Sequence, residues 1–224
     1  MNGNLFIVAT PIGNLKDITL RAIETLKSAN LILAEDTRVT KKLLDRFEIS
    51  KPVWRYDEYA NKILYNKISE MLSEGKDIAL VTDAGTPAIA DPGSKLTAFI
   101  RKEMPETKTI PIPGPSALIA ALSASGLNAD QFTFLGYPPH KKGRQTFFRE
   151  LKEIKVRPIV FYESPHRAEK AFKAIEETFG SETDIVVGRE LTKIHEEIWH
   201  GTAKEAQNYF KGEKKKGEFA VIIP

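Results

Sequence analysis

A chain of 224 residues, 42% of them hydrophobic and with a net charge of +3, is long enough to bury one large core or two smaller ones. No apolar run approaches the roughly 20 residues that span a bilayer, and the start MNGNLFIVATP has no basic patch ahead of its apolar stretch, so neither a membrane helix nor a signal peptide is expected. The lack of cysteine excludes disulfides, a thiolate nucleophile and cysteine-ligated metal, and a cytoplasmic protein is expected.

Taken in chain order, short β-branched runs alternate with amphipathic stretches. Strands are predicted at Leu5–Ala9, Leu31–Glu35, Ile78–Thr82 and Thr109–Ile112, with helical stripes at Leu20, Ile23, Leu26 and at Ile63, Ile68, Leu72. That alternation predicts an α/β fold with a mostly parallel sheet covered on both faces. Pro111, Pro113 and Pro115 stiffen the chain around Gly114, which marks a domain boundary, with Ser116 placed to cap a small-residue helix over Ala117–Ser125. Beyond it come strand Phe132–Gly136, a helix around Gln145–Ile154, strand Ile159–Tyr162 and helix Ala168–Phe179. Strands Ile185–Gly188, Glu196–His200 and Phe219–Ile223 complete the series. The expectation is two α/β domains, residues 1–113 with a mostly parallel sheet and residues 114–224 with a mixed one.

Three segments fall at carboxyl ends of predicted strands, where such sheets bind ligands: Thr10-Pro11-Ile12-Gly13-Asn14, Asp83–Gly93 and Pro113-Gly114-Pro115-Ser116. None carries the lysine and hydroxyl of a Walker phosphate loop, and the dinucleotide pattern GxGxxG is absent. Asp83 and Asp91 would repel phosphate unless a metal such as Mg²⁺ intervened, and no metal site is expected. A ligand with positive charge and hydroxyls but no phosphate fits better, and S-adenosylmethionine is such a molecule: its ribose hydroxyls donate to carboxylates, its sulfonium favours oxygen, and its adenine fits where Gly and Ala leave room. Read as structure alone, the same segments are tight turns that need Gly and Pro.

Two basic clusters stand out, His140, Lys141, Lys142, Arg144, Arg149 and Lys211, Lys214, Lys215, Lys216. Each is a solvated face or a phosphate-binding surface.

The series LFIVATPIGNLKDIT, AEDTR, VTDAGTPAIADPG, PIPGPSALIAAL, FLGYPP, FYESPHR and GRELTKIHEE runs in order along nearly the whole chain. It resembles the tetrapyrrole methylase superfamily, and within it the bacterial branch that methylates small-subunit ribosomal RNA. The resemblance implies two α/β domains with S-adenosylmethionine in the cleft between them, usually in a homodimer. It implies transfer of a methyl group to the ribose 2′-hydroxyl of a cytidine in 16S rRNA of the small ribosomal subunit. Pro11 and Gly13 then form the first wall of the cofactor site; Asp83, Ala84, Gly85, Thr86 and Pro87 form the cofactor turn; Ser116 and Ala117 match the third contact loop. Tyr162, Leu191 and Phe219 occupy positions where relatives line the site with main-chain groups.

Methyl transfer to a hydroxyl needs a base or a cation near the oxygen. AEDTR offers Glu35, Asp36 and Arg38; ESPHR offers Glu163, His166 and Arg167; Glu190, Lys193 and Glu196 follow. Glu35 and Glu163 lead as catalytic groups, although Glu163 or Glu190 could instead pair with Arg167 or Arg189 to fix the domain's shape. Arg38, Tyr137, His140, Lys141, Lys142, Arg144 and Arg167 are the expected RNA contacts, with Tyr137 placed to stack on a base. The competing functions are a tetrapyrrole methyltransferase acting on carbon and a non-catalytic RNA-binding assembly factor.

Overall fold

The computed structural model describes residues Met1–Pro224. The chain divides into two compact units, Met1–Ser116 and Ala117–Pro224, each built on one five-stranded sheet.

The first unit holds β1 (Leu5–Val8), α1 (Leu20–Ser28), β2 (Leu31–Ala34), α2 (Thr37–Arg46), β3 (Val53–Arg55), α3 (Lys62–Ser73), β4 (Ile78–Val81), α4 (Ser94–Glu103) and β5 (Thr109–Ile112). Its strands lie in the order β3-β2-β4-β1-β5, all parallel. Every residue of β2 (LILA) and β4 (IALV) is buried, as apolar runs are when helices cover both faces of a sheet. Ala22 and Leu26 of α1 and Leu44 of α2 pack on one face with Val8 and Ile32. Ile68 and Leu72 of α3 and Leu96 and Ile100 of α4 pack on the other with Leu5 and Leu33. The connection leaving β1 therefore runs over one face and the connection leaving β4 over the opposite face. β1 and β4 are adjacent, so the topological switch of the sheet lies between their carboxyl ends.

Helix starts follow local chemistry. Thr19 Oγ1 accepts from the Ala22 amide at 3.1 Å to begin α1, and Asn61 Oδ1 from the Leu64 amide at 3.1 Å to begin α3. Elements α2, α4 and β3 carried no marker among the expectations: β3 has only three residues and pairs with β2 alone, too short a run to show a period.

The second unit holds α5 (Ala117–Ala124), β6 (Thr133–Phe134), α6 (Arg144–Glu150), β7 (Ile159–Glu163), α7 (Ala168–Phe179), β8 (Asp184–Arg189), β9 (Glu197–Thr202), α8 (Ala203–Tyr209) and β10 (Phe219–Ile223). The order is β6-β7-β10-β8-β9; β6 and β7 are parallel and the other pairs antiparallel. α5 covers one face through Leu118, Ala121 and Leu122. α6, α7 and α8 cover the other through Phe148, Phe172, Ile175, Ala203 and Ala206. The first-turn amide of Leu118 donates to Tyr162 Oη at 2.9 Å, a tertiary acceptor at the start of α5 where sequence pointed to Ser116. No helix is long and apolar enough to cross a membrane.

Candidate active site

At the switch point, the loop after β1 and the loop after β4 are joined by main-chain hydrogen bonds. The Thr10 amide donates to Gly85 O at 2.8 Å and the Gly85 amide to Thr10 O at 3.1 Å. Buried Thr10 Oγ1 also donates to Thr82 O at 3.0 Å. The third loop joins them through Thr86 Oγ1, which donates to Pro115 O at 3.4 Å. Gly85 has φ +92°, a conformation that disfavours a side chain, and a Cβ there would lie 3.6 Å from Ile12 Cγ2 and 3.9 Å from Pro115 O. Gly85→Ala is expected to lower stability by about 1–2 kcal/mol through backbone strain with no collision. A urea melt unchanged from the parent would show that the turn does not depend on that conformation.

The three segments singled out in the sequence thus form one constellation. Pro11 is buried and Gly13 exposed on the first; Asp83 and Ala84 face solvent while Gly85 and Pro87 are buried on the second. Both main-chain groups of Gly85 bond to Thr10, which fixes the turn.

The surroundings are acidic. Glu35 follows β2 and Asp83 follows β4, its neighbour in the sheet. Glu35 Oε2 accepts from Thr82 Oγ1 at 3.2 Å, and Asp83 Oδ1 accepts from the Asp36 amide at 3.0 Å. Burial and then the charge of Asp83 raise the Glu35 carboxyl above the ordinary glutamate range, only partly offset by the Thr82 hydrogen bond. Asp36 behaves oppositely. It caps α2 and is gripped by the Arg38 guanidinium, which hold it well below the usual carboxylate range. Arg38, expected as an RNA contact, is exposed and forked onto Asp36. No group of three or more acidic or histidine side chains is arranged to hold a metal ion.

The donor set suits a cationic nucleoside. The acidic groups Glu35, Asp36 and Asp83 offer hydrogen-bond acceptors and no cation free to hold phosphate, while the bare Ala84-Gly85 turn leaves room for a flat ring.

In the second unit the expected site residues make structural contacts. Glu163 is a buried anchor. Its side chain is 0% exposed and sits between Arg144 (2.7 Å) and Arg167 (2.8 Å), with the Ser164 amide donating to Oε1 at 2.8 Å. Both carboxylate oxygens are engaged, and the pairing with Arg167 weighed as the alternative is the one realised. Arg144 and Arg167, expected on RNA, are committed to this anchor and donate onward to Pro139 O (3.3 Å) and Pro138 O (3.1 Å). They hold the loop rather than reach from it. Phe219 is 2% exposed, its ring packed 5.4 Å from that of Phe210, and its strand is flanked on both sides, so the ring belongs to the core. Tyr162 packs 5.0 Å from Phe134 and Leu191 joins the α5 face. Glu190 pairs with Lys193 at 2.8 Å rather than with Arg189.

The tetrapyrrole (corrin/porphyrin) methylase family model matches residues 4–207. Over 222 residues the chain is 45% identical to ribosomal RNA small subunit methyltransferase I of Synechocystis, covering 99% of this chain and 78% of that protein. It is 42% identical over 221 residues to the protein of that name from Thermotoga maritima, covering 99% and 98%. Among solved structures, a cobalt precorrin-4 methyltransferase superposes with a TM-score of 0.72 at 19% identity over 97% of this chain and 94% of that one. Uroporphyrin-III C-methyltransferase from Thermus thermophilus gives 0.66 at 16% over 98% and 94%. The two structural likenesses establish the fold, and the family match and full-length identities establish descent: the chain belongs to the tetrapyrrole methylase family, and within it to the ribosomal RNA small subunit methyltransferase I group.

Proposed function

We propose that the chain is an S-adenosylmethionine-dependent methyltransferase that modifies the ribose 2′-hydroxyl of a cytidine in 16S rRNA. The observation that carries this reading is the identity, over nearly the full chain, with proteins named ribosomal RNA small subunit methyltransferase I. It acts in the cytoplasm on the small ribosomal subunit, as a homodimer.

S-adenosylmethionine supplies a methyl group already activated by a positively charged sulfur. Pro11, Gly13 and the segment Ala84–Pro87 form its wall in the first unit, and Asp83 accepts from a ribose hydroxyl or amino group. Ser116, on the third loop, adds to that wall. Glu35, whose raised proton affinity brings it nearer to neutral pH, takes the proton of the attacking 2′-hydroxyl. Alignment of that hydroxyl and exclusion of water provide much of the remaining rate.

The test is incubation with radiolabelled donor and either small ribosomal subunits, protein-free 16S rRNA or tetrapyrrole precursors. Label is expected in RNA, recovered after nuclease digestion as 2′-O-methylcytidine. Label in a tetrapyrrole, or on a base, overturns the assignment.

A further inference from the structure

The two basic clusters of the sequence differ once their partners are known. In the run from 211 to 216, Lys211 donates to Asn208 at 2.9 Å, Lys214 lies 3.4 Å from the Tyr209 ring centre, and Lys215 and Lys216 pair with Glu169 (3.6 Å) and Glu213 (2.8 Å). That surface is largely neutralised. The segment from His140 to Thr146 instead forms one wall of an open groove of about 630 Å³ in the second unit, and the flank of α7 with Lys170, Lys173 and Glu177 forms the other. Lys141, Lys142 and Lys170 are exposed and make no ion pair; Lys173 is held only loosely by Glu177 at 3.7 Å. Arg144 also lines the groove, but it is paired with Glu163, which it shares with Arg167. Lys141, Lys142 and Lys170 therefore bring unpaired positive charge to this groove.

The channel is also stiff. Its loop begins at Pro138 and Pro139, whose carbonyls are held by Arg167 and Arg144, both anchored on buried Glu163. Just before the loop, Tyr137 is 49% exposed, and its ring lies 5.5 Å from that of Tyr162 on the α5 face of the sheet, away from the groove. A stiff basic channel of this kind suits the backbone of a nucleic-acid strand, with cations along its phosphates.

We propose that the groove between the 140–146 loop and α7 is the track for the phosphodiester backbone of the RNA substrate. Lys170 and Lys173 contact phosphates from α7, and Lys141 and Lys142 contact them from the loop. This rests on the rRNA reading and adds α7 as its second contact element.

The experiment compares full-length K170A/K173A with K211A/K216A, which removes the same two charges elsewhere. Each is titrated with a fluorescently labelled fragment of 16S rRNA at several salt concentrations, and with small subunits for methylation. K170A/K173A is expected to bind the fragment about tenfold or more weakly and to lower the salt slope by about 1.5, since each lost phosphate contact is worth roughly 0.7–0.9. Its KM for subunits rises while kcat and donor affinity stay at parental values; K211A/K216A changes each by less than about twofold. Equal behaviour of the two variants overturns the track. So does a defect seen with whole subunits and absent with the protein-free fragment, which would assign the groove to an acidic protein, and so does a parent that binds no RNA. Groove-dependent RNA binding by a parent that methylates no RNA would sustain the track and remove the proposed activity instead.

Discussion

Replacing Glu163 with alanine is expected to destabilise the protein by about 3–5 kcal/mol, because it leaves two largely buried guanidiniums, Arg144 and Arg167, facing an empty space. For a chain of this length that corresponds to a fall in melting temperature of roughly 6–20 °C. The size follows from burial: the carboxylate is 0% exposed and its partners 13% and 14%, so solvent cannot replace the lost charge. E163Q keeps the shape and one acceptor and should fall between parent and alanine. Well below the melting temperature, the folded fraction of either variant should still transfer methyl groups, since the residue holds a loop and touches no reacting atom. A variant as stable as the parent but without turnover would return Glu163 to the catalytic list.

Replacing Glu35 with glutamine should do the reverse, lowering methyl transfer by about 10²–10⁴ through loss of the general base while leaving the fold intact. The sign of its effect on stability follows from the direction of the shift. Burial and Asp83 raise the folded-state affinity of Glu35 for a proton above that in the unfolded chain. The folded state is then penalised once the group is ionised, so the parent loses stability as pH rises from the ordinary glutamate value through the raised one. E35Q lacks that penalty: it should match the parent at acid pH and equal or exceed it at neutral pH. In the parent, the acid limb of the rate profile should lie above the ordinary glutamate range. Calorimetry of donor binding, melts at two pH values and the rate profile together check this, and undiminished turnover in E35Q would remove the residue as the base.

How far these features are legible in sequence depends on whether they are local. The turns after β1, β4 and β5 are written in Gly, Pro and Asp, residue types that tight turns require, and they fall where expected. Their union is not local: Thr10 meets Gly85 only because β4 lies beside β1 in the sheet. The Glu163 anchor was half visible. Arg167 sits one helical turn beyond it within ESPHR, but Arg144 lies nineteen residues upstream and looked like part of a basic loop. Lys170 and Lys173 gave no signal, because on an amphipathic helix interleaved with Glu169, Glu176 and Glu177 they resemble any solvated face. Phe219, expected to contribute through its main-chain groups, has its ring in the core. The elements that went unmarked, α2, α4, α8 and β3, are short or polar, and their place is set by what they pack against.

The strand order of the second unit bears on how the protein is made. β10 comes latest in sequence, yet it lies between β7 and β8 in the middle of its sheet. Chains emerge from the ribosome at about 5–20 residues per second, amino-terminal units folding first. The first unit has all its strands once Ile112 is out, whereas the second stays split into a β6–β7 part and a β8–β9 hairpin until residues 219–223 appear. During that interval the inner edges of β7 and β8 are open to any passing strand, which makes this half the one most exposed to nascent-chain chaperones and to misassembly.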